Sequence, residues 1–206
     1  MTTRRSTDGD ARSPLHTRSI TYRAYEVEDD LLEIVAEVTD VRDWRPEPFI
    51  EGRVHDMQLE VMVRRSDLTI TSARAHMAAF PQAECPQIES QFEQLVGLRV
   101  VGGYAREVDA RFKGGLGCAH LHELARGLGP AIVQAAVSSH ARQRTHAGQV
   151  QSAPSPGVRN TCHIWTDGGV GEQKFAAGWR VGDPSQPSVY PVPPVEHFRD
   201  QRPSQH

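Results

Sequence analysis

The sequence lacks the features that identify several large classes of protein. No apolar run approaches the roughly 20 residues that a membrane-spanning helix needs. The net charge is only -3, so nothing in the composition favours nucleic acid as a partner. Residues 1–14 contain no apolar segment, which argues against a secretory signal. These absences predict a cytoplasmic protein that acts neither on a membrane nor on nucleic acid.

Cysteine is scarce, and its arrangement excludes the compact metal and redox motifs. The chain has three cysteines, Cys85, Cys118 and Cys162, which are far apart in sequence. No Cys-x-x-Cys or His-x-x-x-His pair is present. An odd count of dispersed cysteines favours reduced thiols in a cytosolic protein over a disulfide framework.

The first half of the chain has the alternating pattern of half-buried strands. Apolar residues recur at every second position over about 30–39, 57–64 and 68–75. The turn Arg65-Ser66-Asp67 joins the last two segments into a hairpin. A strand-like segment also begins near Ile20, while residues from Asp40 onward indicate a connection or an edge. We therefore expect an antiparallel meander.

The second half indicates helices. Pro86 at a first helical position, followed by an amphipathic run that ends at Gly97, predicts a short helix. Residues 104–112 are polar and give no clear pattern, and residues 160–165 are strand-like. From Cys118, apolar residues at spacings of three and four predict a long helix that reaches Ser139 or beyond: Leu121, Leu124, Leu128, Ile132 and Ala135.

Strands followed by helices predict an α+β fold. We expect an antiparallel sheet of three to five strands, covered on one face by a short and a long helix. The predicted organisation is a disordered tail over residues 1–14, a single α+β domain over 15–182, and an extended proline-rich arm over 183–206. The arm is a candidate surface for a homodimer.

Side chains that can act in catalysis or bind a metal are concentrated at the start of the long helix. One cysteine, two histidines and one glutamate fall within the six residues from Cys118 to Glu123, behind a glycine-rich approach. A thiol there lies near the unpaired N–H groups and the positive end of the helix dipole, which favours the thiolate. No lysine followed by serine or threonine comes after the glycines, so they more simply allow close backbone approach than bind phosphate. We predict Cys118, His120 and Glu123 as catalytic residues.

The same chemistry suggests a site for a divalent metal. Cysteine sulfur, imidazole nitrogen and carboxylate oxygen are ligands for zinc and iron. Cys85 follows the hairpin and Cys118 begins the helix that covers the sheet, so both can lie at one end of the fold. The predicted ligands are therefore residues at the ends of elements: Cys85, Cys118, His120, Asp56, His55 and, as a further candidate, Cys162. The alternative is a structural role, in which the cysteines pack as small apolar residues in the core and the histidines form ordinary hydrogen bonds.

Several of these segments resemble a bacterial family known as domain of unknown function 2889. The resemblance covers roughly residues 20–170, and its most specific part is the Gly-Cys-x-His-Leu segment. It implies no activity. The segments that carry it are His55-Asp56-Met57, Pro81 to Cys85, Leu95-x-Gly97, Gly117-Cys118-x-His120-Leu121-x-Glu123-Leu124 and Asn160-x-Cys162-His163.

A weaker resemblance is to the U-type iron–sulfur scaffold proteins. Asp56-Met57 before a strand, Cys85 after the hairpin and Cys118-Ala119-x-Leu121 at a helix start are similar to the scaffold pattern. The cysteine that scaffolds have just before that aspartate is replaced here by His55. This resemblance implies a scaffold-like fold.

Three classes of function are consistent with the sequence. The first, which we favour, is a metal- or thiolate-dependent enzyme of lyase or hydrolase type that acts on a small organic substrate. The second is an iron–sulfur or zinc carrier, which needs several converging thiolates. The third is a non-catalytic module that binds a neighbour through its proline-rich arm.

Overall fold

The computed structural model describes residues 14–42, 44, 52–149 and 159–178. The chain divides into two compact units, Met1–Ala136 and Val137–His206, each of which is described by itself. Apart from Pro14, the two predicted tails lie outside the described residues, so the predicted domain limits stay predictions.

The first unit contains a four-stranded antiparallel sheet in the order β1-β2-β3-β4. Each strand pairs with the next one along the chain, which confirms the predicted meander and the hairpin. The strands are longer than the sequence predicted, because backbone pairing continues past the apolar residues at their ends. Their bounds are Thr17–Glu28 (β1), Leu31–Val41 (β2), Arg53–Arg64 (β3) and Thr69–Ala79 (β4).

One face of this sheet carries the hydrophobic core. On β2 the even-numbered residues from Leu32 to Asp40 are buried and the odd-numbered ones are half-buried, as the two-residue period of a strand requires. Val61 and Val63 of β3 and Ile70 of β4 extend the same buried layer. The fold is thus α+β, with its core between this face and the helices.

The helices follow the sheet in sequence. A 3-10 helix over Cys85–Leu95 confirms the predicted short helix, and Phe92 in it stacks on Phe112 with ring centroids 4.5 Å apart. Helix α1, Tyr104–Phe112, occupies the polar segment for which no element was predicted. Helix α2 spans Ala119–His146, so the predicted long helix is confirmed and extends past Ser139.

A close contact between β1 and α2 positions the start of the long helix. The Tyr22 hydroxyl donates a hydrogen bond of 3.2 Å to the carbonyl of Leu124. The approach depends on Gly127, because a Cβ at that position would lie 1.9 Å from the Tyr22 hydroxyl oxygen. Gly117 has a similar role, since a Cβ there would lie 2.8 Å from the backbone oxygen of Phe112. Both glycines allow close packing, and for Gly117 this is the role that the sequence suggested.

The second unit contains a 3-10 helix, His163–Trp165, and helix α3, Val170–Ala176. The prediction of a strand over residues 160–165 was wrong. The N–H of Asn160 donates to the carbonyl of Trp165 at 2.7 Å, so this backbone closes a loop on itself and does not pair with a strand. No helix in the described ranges is both long and apolar enough to cross a membrane.

Candidate functional site

At one end of the sheet, the inward-facing positions hold ionisable residues in place of the apolar ones found along the rest of the strands. Asp40 continues the buried even-numbered series of β2, beyond Val38. In the register of the sheet, Asp40 pairs with Arg18 of β1 on one side and with His55 of β3 on the other. Three neighbouring strands therefore contribute one row of polar side chains beneath the start of α2.

Asp40 is the centre of this row and is only 1% exposed. The Arg18 guanidinium holds it by two bonds of 2.8 Å, from Nε to Oδ1 and from Nη2 to Oδ2. The Nε2 atom of His16 lies 3.0 Å from Oδ1. A buried carboxylate with a bidentate arginine is well compensated, because charge-assisted bonds strengthen where water is excluded.

Two imidazoles approach the other side of the same carboxylate. Nδ1 of His55 lies 2.9 Å from Oδ2, and Nε2 of His120 lies 3.3 Å from it. The two rings are 3.9 Å apart between centroids and tilted by 34°. His120 reaches this point because it lies in the first turn of α2, where the carbonyl of Cys118 accepts a hydrogen bond from the N–H of His122 at 2.8 Å.

The surroundings set the charge of these groups. Burial raises the pKa of Asp40, but the bonds and charge of Arg18, with His55 and His120, outweigh it and hold that pKa well below its ordinary value. Burial lowers the pKa of His55 against the opposing effect of Asp40. Burial, followed by the charges of His55 and Arg18, lowers the pKa of His120. At neutral pH, Asp40 is therefore a carboxylate beside the Arg18 guanidinium, and the imidazoles of His55 and His120 are neutral.

A pair of sulfur atoms lies on the far side of His120. The Sγ atom of Cys118 is 3.8 Å from Nδ1 of His120 and 3.8 Å from the Sδ atom of Met57. Met57 is 2% exposed, and Cys118 is partly buried against the core. His120 therefore has a carboxylate at one ring nitrogen and a thiol at the other.

The rim of the site is open to solvent. Glu123 accepts a bond of 2.8 Å from Nη1 of Arg18, and the two side chains are 45% and 37% exposed. His16 is 41% exposed on the same side. A pocket lined by Glu28, Asp30 and Arg64 lies instead at the opposite end of the sheet, and its lining contains neither thiol nor imidazole.

Four of the residues predicted from the sequence meet here: His55, Cys118, His120 and Glu123. Asp56 neighbours His55 but by strand alternation faces the other side of the sheet, where Arg53 binds it at 2.6 Å.

The two remaining cysteines lie at the N-terminal ends of short helical segments. Cys85 starts the 3-10 helix after β4 and packs against the core. Cys162 is exposed in the second unit. In the part of the chain that the structure describes, the group whose candidate ligand atoms all lie within 4.8 Å of one another is Asp40, His55 and His120.

Sequence reasoning missed Asp40, Arg18 and His16. The predicted strand ended at residue 39, one position short of Asp40, and the first strand was taken to begin near Ile20. Continuing the two-residue period by one step would have placed Asp40 and Arg18 on the buried face.

Comparisons with known proteins place the chain in a family. A family model described as "Protein of unknown function (DUF2889)" matches residues 16–134. The chain belongs to this family. The DUF2889 match includes His16, Arg18, Asp40, His55 and His120, so the whole cluster around Asp40 lies inside the family region. No curated protein and no solved structure matches the chain, and the resemblance to U-type iron–sulfur scaffolds finds no support.

Proposed function

We propose that this protein is a metal-dependent enzyme of lyase or hydrolase type that acts on a small organic substrate, with Asp40, His55 and His120 as the ligands of a divalent zinc or iron ion. The observation that carries the proposal is the convergence of one carboxylate oxygen and two imidazole nitrogens within 4.8 Å. Two histidines and one carboxylate are a ligand set of catalytic zinc and of non-haem iron(II).

The spacing of the three atoms suits one ion. Bonds of about 2.1 Å separate neighbouring ligand atoms by about 3.0 Å in octahedral and about 3.4 Å in tetrahedral geometry. The two separations from Oδ2 of Asp40 are 2.9 Å to His55 and 3.3 Å to His120. An ion here would bind Oδ2, while Oδ1 kept its bonds to Arg18 and His16.

The surrounding residues have complementary roles in this proposal. Burial keeps both imidazoles neutral at neutral pH, which is the form that binds metal. Arg18 orients the carboxylate, as outer-shell partners do in metal sites. Glu123 is an exposed carboxylate beside Arg18 at the rim, within range to carry a proton between solvent and a substrate. A bound ion would supply a Lewis acid or an activated water.

Metal content tests the proposal directly. Full-length protein purified without added metal should contain zinc or iron near one per chain by elemental analysis. His55→Gln should lose the metal, and calorimetric titration with Zn(II) should show the affinity falling by about a hundredfold or more. His122→Gln is the matched control, because His122 lies on the same helix but binds Asp109 at 2.8 Å.

Two results would refute a metal centre. One is a wild-type protein that contains no metal and shows no heat of binding with Zn(II) or Fe(II). The other is a His55→Gln protein with the affinity of the His122→Gln control. Either result would reduce the cluster to a polar network that joins the sheet to α2.

A thiolate enzyme is the second candidate, supported by the alignment of Cys118, His120 and Asp40. Sγ lies 3.8 Å from Nδ1, and Nε2 lies 3.3 Å from the carboxylate, which is the order of a cysteine nucleophile, its base and an orienting acid. Rapid alkylation of Cys118 by iodoacetamide, slowed in His120→Gln, would favour this candidate. Alkylation at the rate of a free thiol would exclude it.

A further inference from the structure

We infer that Met57, Cys118 and His120 form a second metal site, selective for a soft monovalent ion such as Cu(I). The donors are the thioether sulfur of Met57, the thiolate of Cys118 and Nδ1 of His120. This site goes beyond the proposed divalent centre, which uses the opposite nitrogen of His120, and it does not depend on that centre.

The separations of the Cys118 sulfur from the other two donors suit a three-coordinate ion. Sγ of Cys118 is 3.8 Å from the sulfur of Met57 and 3.8 Å from Nδ1 of His120. A trigonal ion with metal–sulfur bonds of about 2.3 Å separates its two sulfur ligands by about 4.0 Å. Both separations from the Cys118 sulfur are therefore close to those of ligands that share one trigonal ion.

The carboxylate of Asp40 supplies an independent reason to regard His120 as a ligand through Nδ1. A metal-bound histidine almost always donates its other ring N–H to a carboxylate or a carbonyl. Nε2 of His120 lies 3.3 Å from Oδ2 of the buried Asp40, which is the partner that this arrangement needs. With the proton on Nε2, the lone pair of Nδ1 is directed to the side where Cys118 lies.

The nature of the donors selects the ion. Zinc takes thiolate, imidazole and carboxylate ligands, whereas the thioether sulfur of Met57 is a soft ligand that favours Cu(I). Met57 is 2% exposed, so its sulfur lies where water does not compete for the ion. The two sites differ in every ligand except His120, and Nε2 cannot both donate a proton to Asp40 and bind a divalent ion. The imidazole therefore makes the two ions compete.

The test is a titration of reduced full-length protein with Cu(I), without oxygen, against a chromophoric Cu(I) chelator. The wild type should bind one Cu(I) per chain. Cys118→Ser and Met57→Leu should each weaken Cu(I) binding by about tenfold or more. His122→Gln is the control, because His122 binds Asp109 and belongs to neither site, so it should leave Cu(I) affinity unchanged.

Zn(II) titrations of the same proteins separate this inference from the proposed function. Met57→Leu should keep the Zn(II) affinity of the wild type, because Met57 is not a ligand of the divalent centre. Loss of Zn(II) binding in His55→Gln would support that centre whether or not Cu(I) binds.

Copper-edge X-ray absorption of the wild type checks the ligands without a variant. Two sulfurs and one nitrogen should surround the copper. Failure of the wild type to take Cu(I) from the chelator overturns the inference. Equal Cu(I) affinity in Met57→Leu and the wild type, or copper bound by one sulfur, also overturns it, because the thiol of Cys118 would then bind alone.

Discussion

Within the described residues, two clusters share one composition, an aspartate that binds an arginine and a histidine, and they differ in burial. Asp40, with Arg18 and His55, is 1% exposed on the inner face of the sheet. Asp109 of α1 binds His122 at 2.8 Å and also Arg126, both of α2, and its side chain is 28% exposed. One cluster joins strands and the other joins two helices.

The difference shows that position in the fold, and not residue type, makes a polar cluster a candidate site. Ion pairs at a surface contribute little, since water and salt screen them. Beneath α2, water is excluded, so each bond to Asp40 is strong and an unpaired group there is costly. Of these two carboxylates, only that of Asp40 has more than one imidazole in reach, because His16 and His120 approach it as well as His55.

The largest expected effect is on stability after Asp40→Asn. This change removes the charge that compensates Arg18 while both groups remain partly or fully buried. Breaking a buried pair costs about 3 kcal/mol of unfolding free energy. The midpoint of urea denaturation should fall accordingly, with an unchanged dependence on denaturant concentration.

Asp109→Asn is the matched control for that experiment. Its partners are solvated, so the denaturation midpoint should move little. Equal destabilisation by the two substitutions would mean that burial does not separate the clusters.

The second prediction concerns the packing of α2 against β1, which holds His120 close to Asp40. Gly127→Ala would force a Cβ to within 1.9 Å of the Tyr22 hydroxyl oxygen. Overpacking of this kind costs about 1–3 kcal/mol. Alanine gains only about 1 kcal/mol over glycine inside a helix. Gly127→Ala should therefore lower the melting temperature and also weaken Zn(II) binding, because His120 moves with the helix.

Gly129→Ala tests whether that effect is local. A Cβ at Gly129 would lie 3.1 Å from Cδ1 of Tyr104, which requires a smaller shift. Its melting temperature should exceed that of Gly127→Ala. The reverse order would show that β1 does not hold α2 in place.

The third prediction is a dependence of stability on pH that arises from the buried cluster. The folded-state pKa values of His55 and His120 lie below the unfolded value of about 6.5, so their contribution is present above about pH 6.5 and is lost as the pH falls through the folded values. Asp40 contributes above its unfolded pKa of about 3.9, and this is lost at still lower pH.

Melting temperatures measured between about pH 7 and pH 5 check this prediction. The wild type should become less stable over that range, and His55→Gln should have a shallower slope. The bonds of Arg126, followed by those of His122, lower the pKa of Asp109. The stability that Asp109 contributes therefore changes with pH only below about pH 3.9, so Asp109→Asn should leave the slope between about pH 7 and pH 5 unchanged.

The smallest expected effect is that of Glu123→Gln, which removes the exposed end of the Arg18 network. The Arg18–Glu123 pair is largely solvated, so its loss should cost only about 0.5 kcal/mol of unfolding free energy. Arg18 keeps both of its bonds to Asp40. A cost close to that of Asp40→Asn, measured in the same urea titration, would place Glu123 inside the buried network.

The sequence predicted the sheet and the long helix well, because both depend on local periodicity. Alternation over β2 and β3 and the three-to-four spacing after Leu121 each require one face to be apolar. Helix α1 was missed although its buried residues Tyr104, Val108 and Phe112 recur every four positions, because the segment is short and charged residues lie between them. The prediction of a strand over residues 160–165 was wrong, because strand-like residues form a strand only where a partner strand can pair with them.

The candidate site was half predicted for a similar reason. Cys118, His120 and Glu123 are close in sequence, so local reasoning found them, and His55 was found beside a strand. Asp40 was missed because aspartate is a poor strand residue and was taken to end β2. Pairing with Arg18 and His55 on the neighbouring strands keeps it in the sheet.

The sequence by itself determined which residues alternate, which face of α2 is apolar, and that a thiol and imidazoles lie at a helix start. Only the tertiary structure decided that three adjacent strands place Arg18, Asp40 and His55 in one buried row, with His120 above it. The physical reason is that hydrogen bonding between strands sets which residues lie side by side. Strand register therefore joins groups that are 22 and 15 residues apart in the chain.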